Sequence, residues 1–129
     1  MRIGKRFTFE AAHHLPLHDG KCRRPHGHSY VVEVELTGPV ETHGPKTGMV
    51  YDFSDVSAAF RRLIFDRLDH QNLNAVLDFP TTAESLAVWM LAELKAELDE
   101  PWPDDPAPRR RVTRVRVWET ATSWAEAEA

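Results

Sequence analysis

Residues 26–37 carry the most restrictive pattern in the chain, an alternation of apolar and polar side chains. The apolar positions are Tyr30, Val32, Val34 and Leu36. Because successive side chains of a strand point to opposite faces of a sheet, this alternation predicts a strand with one buried face. Residues 2–12 alternate in the same way and predict a second strand. The polar stretch 13–25 between them contains glycine and proline, which predicts a loop.

Two amphipathic helices are predicted in the middle of the chain. Apolar residues recur at helical spacing over residues 56–68 and again over residues 86–98. Asp52 or Ser54 can cap the first helix. Residues 81–84 (Thr-Thr-Ala-Glu) have the spacing of a capping box, which places the start of the second helix there.

The remaining segments are assigned from their prolines, glycines and alternation. The loop after residue 37 is expected to complete a hairpin through residues 49–53. Residues 99–111 contain four prolines and predict an exposed connector. Residues 112–120 alternate and predict a last strand, whereas residues 121–129 show no pattern. The order β-β-α-α-β indicates an α+β fold, an antiparallel sheet covered by helices on one face.

Length, charge and cysteine content exclude several classes of protein. The 129 residues suit a single domain, 1–129, with a modest core. A net charge of −4 argues against a general nucleic-acid-binding surface. No apolar stretch approaches the roughly 20 residues of a membrane helix, and the N-terminus lacks the apolar core of a signal peptide. The single cysteine excludes an internal disulfide and indicates a reducing cytoplasm.

Three of the seven histidines share one face of the predicted hairpin. His26 and His28 are two residues apart in one strand, so their rings project to the same side. His13 continues the inward parity of the first strand and meets them if the two strands pair. Three histidines with an open fourth position suit a catalytic zinc site. The alternative is an ordinary polar pair at the rim of the sheet.

A basic cluster surrounds the only cysteine. Lys21, Arg23 and Arg24 flank Cys22 in the loop between the first two strands. Nearby cations favour a thiolate, which is a nucleophile or a base. The same cations could hold a polyphosphate. The alternative is an ordinary free cysteine in a basic loop.

Further candidate groups lie at the ends of predicted elements. Asp69 and His70 end the first helix, where the aspartate could tune the histidine for proton transfer. The alternative is that the histidine only interacts with the helix dipole. Glu119 shares the inward parity of the last strand, so its carboxylate could bind a heterocycle with N–H donors or form a salt bridge.

Taken in order, these residues resemble the 6-pyruvoyl-tetrahydropterin synthase / 6-carboxy-tetrahydropterin synthase family. The matching motifs are Phe9-Glu10-Ala11-Ala12-His13, Cys22-x-x-x-His26-Gly27-His28, Asp52-Phe53, Leu68-Asp69-His70, Pro80-Thr81-Thr82-Ala83-Glu84 and Trp118-Glu119-Thr120. The three-residue gap after Cys22 is similar to that of the bacterial 6-carboxy-tetrahydropterin synthases, which make 7-deazaguanine precursors. Arg23, Pro25 and a long 99–111 connector depart from the usual family pattern.

The resemblance implies a tunnelling fold (T-fold), a four-stranded antiparallel sheet with two helices on one side. It implies a homo-oligomeric ring, commonly a hexamer of two trimers, with active sites between subunits. The implied zinc ligands are His13, His26 and His28. The implied catalytic residues are the base Cys22 and its proton-relay partners Asp69 and His70. The implied pterin contacts are Glu119 and backbone groups near Thr82 and Ala83.

The implied reaction is the zinc-dependent conversion of 7,8-dihydroneopterin triphosphate to 6-carboxy-5,6,7,8-tetrahydropterin, in queuosine biosynthesis. Acetaldehyde and triphosphate are the other products, and Lys21, Arg23 or Arg24 is expected to hold the triphosphate. One alternative is elimination of triphosphate without carbon–carbon cleavage, as in the pyruvoyl branch. Another is a zinc protein that binds a pterin without turnover, although mere binding needs no base.

Overall fold

A computed structural model describes residues 1–129 and shows one sheet backed by helices. Strand β1 (Arg2–His13) pairs with β2 (His26–Thr37) in antiparallel register along their whole length, with His13 opposite His26. The hairpin expected from the two alternating segments is therefore confirmed. A short 3-10 turn, Lys21–Arg23, lies in the loop that joins the two strands.

The sheet has six strands, whereas the family resemblance implied four. The additional strands are β3 (Gln71–Asn72), β4 (Glu100–Trp102) and β6 (Trp124–Glu128), beside the long strand β5 (Asp105–Trp118). The order is β3-β1-β2-β5-β4, with β6 also paired to β5. All pairings are antiparallel except that of β3 with β1, which is parallel.

The prediction of an exposed connector over residues 99–111 is wrong. This stretch forms the β4–β5 hairpin, and β5 extends from Asp105 rather than from residue 112. Prolines are tolerated at sheet edges, where a ladder hydrogen bond is not required. Arg110 explains why the segment stays folded, because its buried guanidinium binds the Glu41 and Glu100 carboxylates.

The C-terminal stretch 121–129, in which the sequence shows no pattern, contains β6. Its residues pair with β5 from Trp118 opposite Trp124 to Arg114 opposite Glu128. Ion pairs between the two strands, such as Arg116 with Glu126 at 2.8 Å, accompany this register. Cross-strand neighbours therefore hold a strand that lacks a strong alternation of its own.

The first helical segment begins with α1 (Phe53–Phe60) and continues through a π-helical turn (Arg61–Phe65) into α2 (Asp66–Leu68). Asp52 is its N-cap, since the carboxylate accepts a hydrogen bond from the Ser54 N–H at 2.8 Å. The prediction that residues 49–53 form the second strand of a hairpin is wrong. No strand forms there, and Asp52 is already the cap of a helix.

The second helical segment comprises a short helix α3 (Leu73–Val76) and the long helix α4 (Ala83–Leu98). The N-cap of α4 is Thr82, whose hydroxyl accepts from the Ser85 N–H at 3.2 Å. The capping box predicted from Thr81 and Glu84 is therefore wrong, although the helix begins within one residue of the expected position. Thr81 is instead fully buried and faces the histidines described below.

The core lies between the sheet and the helices. Its largest buried sheet residues are Phe9, Tyr30 and Leu36, and α4 contributes Leu86, Met90 and Leu94. Phe60 and Ile64 of the first helical segment complete this layer. The α+β class with helices on one face of a largely antiparallel sheet is confirmed. None of the helices has both the length and the apolar content needed to cross a lipid bilayer.

Candidate metal centre and active site

Three histidines meet where β1 ends and β2 begins. The ring centroids of His13 and His26 are 4.6 Å apart, those of His13 and His28 5.1 Å, and those of His26 and His28 4.9 Å. One nitrogen from each ring lies within 4.8 Å of the other two. The antiparallel register places His13 directly opposite His26, and strand parity adds His28 to the same face. These residues could together hold a metal ion.

Hydrogen bonds fix which nitrogen of two rings faces the centre. His13 Nδ1 lies 2.8 Å from the Thr81 carbonyl, and His26 Nδ1 lies 2.8 Å from the Arg24 carbonyl. Because a carbonyl oxygen only accepts, each Nδ1 carries the proton and each Nε2 keeps its lone pair. The Nε2 atoms of His13 and His28 are buried without a hydrogen-bond partner. This donor set fits a cation bound by neutral imidazoles.

Electrostatics also favour neutral rings in this cluster. Burial lowers the pKa of His13, with a smaller contribution from the neighbouring histidines and opposing contributions from Thr81 and Glu119. Burial likewise lowers the pKa of His28, while Glu119 opposes it. Neutral imidazole is the form that binds metal, so the environment favours the ligand state over the protonated state.

Glu119 reaches the same centre from the end of β5. Its Oε1 lies 3.4 Å from His13 Nε2 and 3.6 Å from His28 Nε2. The buried Tyr30 ring packs against His28 with centroids 5.4 Å apart, and burial followed by the Glu119 charge raises the Tyr30 pKa. The carboxylate predicted from strand parity to point inward therefore does so, with its side chain 27% exposed. Its close neighbours are the His13 and His28 rings and it makes no ion pair with a lysine or arginine, so it remains free to accept from a ligand.

Cys22 lies in the 3-10 turn, with its side chain partly exposed. Its carbonyl accepts a hydrogen bond from the Leu15 N–H at 2.8 Å, which ties the turn back to the end of β1. Lys21, Arg23 and Arg24 are all exposed around it. Because the Arg24 carbonyl contacts His26 Nδ1, the loop that carries Cys22 leads directly into the histidine cluster at the start of β2.

Asp69 and His70 form a dyad held against β1. Asp69 Oδ1 accepts from the Glu10 N–H at 3.0 Å, and Asp69 Oδ2 lies 2.8 Å from His70 Nδ1. The His70 N–H donates to the Glu10 carbonyl at 2.6 Å. None of these hydrogen bonds reaches Cys22. His70 lines an open groove with Gly27 and His28 at the neighbouring part of the sheet.

Thr82 and Ala83 lie at the start of α4, directly after the residue that contacts His13. Sequence reasoning missed two polar residues beside this point, Thr81 as a contact of His13 and Asn74 as a contact of both Thr81 and the His14 backbone. The spacing of Thr81 suggested only a helix cap. Two adjacent threonines precede this helix, and only Thr82 is its cap. The other threonine, which is not needed as a cap, is the sequence signal that could have indicated a contact with the site.

The fold and the site together define the class of protein. A sheet backed by helices brings three imidazoles close to one another and to a carboxylate, and the imidazoles could hold a metal ion. The sequence profile described as 6-pyruvoyl tetrahydropterin synthase matches residues 2–129. The chain belongs to this family.

Named relatives lie in both branches of the family. The chain is 35% identical over 146 aligned positions to the 6-carboxy-5,6,7,8-tetrahydropterin synthase of Haemophilus influenzae, covering 97% of this chain and 96% of that protein. It is 46% identical over 95 positions to the protein of the same name from Synechocystis, covering 72% and 74%. The solved 6-pyruvoyl tetrahydropterin synthase of Caenorhabditis elegans superposes with a TM-score of 0.80 at 28% identity, covering 100% of this chain and 95% of that one.

Proposed function

We propose that this protein is a zinc-dependent lyase that converts 7,8-dihydroneopterin triphosphate to 6-carboxy-5,6,7,8-tetrahydropterin in queuosine biosynthesis. Acetaldehyde and triphosphate are released, and one water is consumed in the balance. The observation that carries the proposal is the convergence of three imidazoles beside Glu119, two of which, His13 and His28, have buried Nε2 atoms without a hydrogen-bond partner. Identity to two relatives named 6-carboxy-5,6,7,8-tetrahydropterin synthase supports the choice of product.

The metal centre is assigned to His13, His26 and His28. When bound there, zinc acts as a Lewis acid that lowers the pKa of coordinated hydroxyl groups. The protein's part is to present neutral Nε2 donors from rigid strands, and the Nδ1 contacts to Thr81 and Arg24 support that arrangement.

The pterin ring is assigned to Glu119 and to backbone groups near Thr82 and Ala83. A carboxylate accepts from two adjacent N–H donors of a heterocycle, which fixes the ring in one orientation. Glu119 is partly exposed at the histidine cluster, and the start of α4 lies next to the residue that contacts His13. This position would set the substrate side chain over the metal centre.

Cys22 is assigned as the base that removes a proton from the substrate side chain. Lys21, Arg23 and Arg24 surround it, which favours the thiolate and offers cations for the triphosphate. A reducing, cytoplasmic compartment would keep this lone cysteine as a free thiol. His70 receives and returns protons through Nε2, because Asp69 holds its Nδ1.

The site is completed by a second subunit in this proposal. Within one chain, Asp69 and His70 bind Glu10 and each other rather than Cys22. We propose a homo-oligomer, commonly a hexamer of two trimers in this family, in which Cys22 of one subunit meets His70 of its neighbour.

Product identification after incubation of the zinc-loaded protein with 7,8-dihydroneopterin triphosphate tests the reaction. Mass spectrometry should detect 6-carboxy-5,6,7,8-tetrahydropterin and acetaldehyde. A pyruvoyl product without acetaldehyde would assign the protein to the other branch, and bound but unchanged pterin would make it a binding protein. Cys22→Ala should retain zinc and lose turnover, and full activity of this variant would refute the role of the thiolate.

A further inference from the structure

Thr81 contacts His13 through two oxygens while itself fully buried. His13 Nδ1 lies 2.8 Å from the Thr81 carbonyl oxygen and 3.1 Å from Thr81 Oγ1. Thr81 and His13 are 0% and 1% exposed, so neither group can exchange these contacts for water. By comparison, His26 Nδ1 has a single partner, the Arg24 carbonyl, at a more exposed position. His13 is thus the more tightly held of these two rings.

Asn74 extends this contact to the backbone beside His13. Its Oδ1 accepts from the His14 N–H at 2.9 Å, and its Nδ2 donates to the His14 carbonyl at 2.9 Å. The Thr81 hydroxyl also points to Asn74 Oδ1, at 3.4 Å. When the Thr81 hydroxyl donates to Asn74, a lone pair of the Thr81 oxygen is left to accept from the His13 Nδ1–H. One side chain from α3 therefore holds both the end of β1 and the threonine that orients the ring.

We propose that Thr81 and Asn74 are positioning residues for metal binding, which fix the direction of the His13 ring so that Nε2 points into the three-histidine centre. The inference rests on the proposed function, because it requires a metal at that centre. Histidine ligands in metalloproteins commonly donate their second N–H to a fixed oxygen, and loss of such a contact costs about 10- to 100-fold in affinity. A buried ring that can turn in place would present its lone pair in the wrong direction for part of the time.

The affinity of the metal-free protein for Zn²⁺, measured by competition with a chromophoric chelator, tests this inference. Thr81→Val keeps the shape and the carbonyl but removes the hydroxyl, and we expect Zn²⁺ to bind about tenfold more weakly. Thr81→Ser restores the hydroxyl and should bind within about twofold of wild type. Asn74→Ala should weaken binding in the same direction, and it provides a second measurement if Thr81→Val does not fold.

Thr113→Val is the matched control. The Thr113 hydroxyl donates to the Glu35 carboxylate at 3.0 Å, on β5 and away from the histidines. This variant should melt at a lower temperature with unchanged Zn²⁺ affinity. The visible spectrum of the Co²⁺-loaded protein gives a second readout, because it reports coordination geometry. It should change in Thr81→Val and not in Thr113→Val.

Two outcomes contradict different parts of this reasoning. Wild-type Zn²⁺ affinity and an unchanged Co²⁺ spectrum in folded Thr81→Val and Asn74→Ala would overturn the positioning role. Wild-type affinity in His13→Ala would instead show that the metal does not bind at the three-histidine centre, which would refute the proposed function itself.

Discussion

His70 adopts a φ of 58°, in the left-handed region that residues other than glycine seldom occupy. Two contacts impose this conformation, the 2.6 Å bond from the His70 N–H to the Glu10 carbonyl and the 2.8 Å contact between the ring and Asp69. Backbone strain of this kind persists where the surroundings impose it, often at active sites. The side chain is 78% exposed, so its free nitrogen is accessible to a substrate or a second subunit.

The variant His70→Asn separates this backbone conformation from the proposed proton transfer. Asparagine tolerates the left-handed region, so we expect the free energy of unfolding in urea to stay within about 1 kcal/mol of wild type. Product formation should be lost, because the amide does not relay a proton near neutral pH. Retention of turnover in the folded variant would show that His70 has no part in proton transfer.

Asp69 should make stability depend on pH in the acid range. The Glu10 N–H and then His70 hold the pKa of Asp69 below its ordinary value. Folding therefore favours the charged carboxylate, and its stabilisation is present above the unfolded pKa of about 4 and is lost as pH falls through the lower folded pKa. Melting curves of wild type and Asp69→Asn should differ most above the unfolded pKa and converge as the pH falls through the lower folded pKa. A difference that does not vary with pH would contradict this assignment.

Strand periodicity and the pairing of the first two strands predicted that the three histidines lie on one face. The residues that orient their rings could not be predicted, because those contacts depend on tertiary structure. His26 and His28 share a face because they are two residues apart in one strand, and the hairpin register adds His13. Thr81 reaches His13 across 68 positions of the sequence, and Asn74 reaches His14 across 60. No local pattern encodes such contacts, since they depend on how α3 and α4 pack against the end of β1.

At the scale of elements, prolines gave a misleading signal in residues 99–111. They indicated a connector, yet β4 and β5 accommodate them at the hairpin. The segment is anchored by Arg110, which is 3% exposed and binds Glu100 at 2.9 Å and Glu41 at 3.1 Å. Arg110 also donates to the Pro39 carbonyl, so it joins the hairpin to the loop after β2. Arg110 lies between Arg109 and Arg111, and nothing in the sequence distinguishes it from these two neighbours.

Removal of the Arg110 charge should destabilise the protein. Arg110→Met removes the donor that binds the Glu41 and Glu100 carboxylates and the Pro39 carbonyl. Because both carboxylates are partly exposed and water can replace part of the lost contacts, we expect a loss of about 1 to 3 kcal/mol in the free energy of unfolding. The matched control is Arg111→Met at the next, exposed position, which should change stability by less than about 0.5 kcal/mol. Urea unfolding of both variants measures the difference. Equal, small effects would mean that Arg110 does not hold the hairpin.

At the scale of the whole molecule, the sheet leaves an edge of β1 without a partner. Because β3 pairs only with Ala11 and Ala12, the stretch from Arg2 to Phe9 exposes unpaired backbone groups on that side. Such an edge is a template for a strand of another chain unless it is protected. This feature supports the proposed homo-oligomer, in which Cys22 and His70 act together from different subunits.

Mixing two inactive variants tests whether the active site is shared between subunits. Cys22→Ala subunits supply an intact His70, and His70→Asn subunits supply an intact Cys22. If subunits exchange randomly, one site in about four receives both intact residues, so mixed oligomers should recover about a quarter of wild-type turnover. Native mass spectrometry establishes that mixing has occurred, and product formation is then compared with that of each variant alone.

The control for this experiment replaces one partner with the double variant Cys22→Ala/His70→Asn. Mixing it with Cys22→Ala should restore nothing, because no subunit then carries the thiol. Recovery with the first pair and not with the second requires that the thiol and the imidazole come from different chains. Absence of recovery in demonstrably mixed oligomers would mean that each subunit contains its own complete site. Asp69 and His70 would then have to leave their contacts with Glu10 to reach Cys22 during turnover.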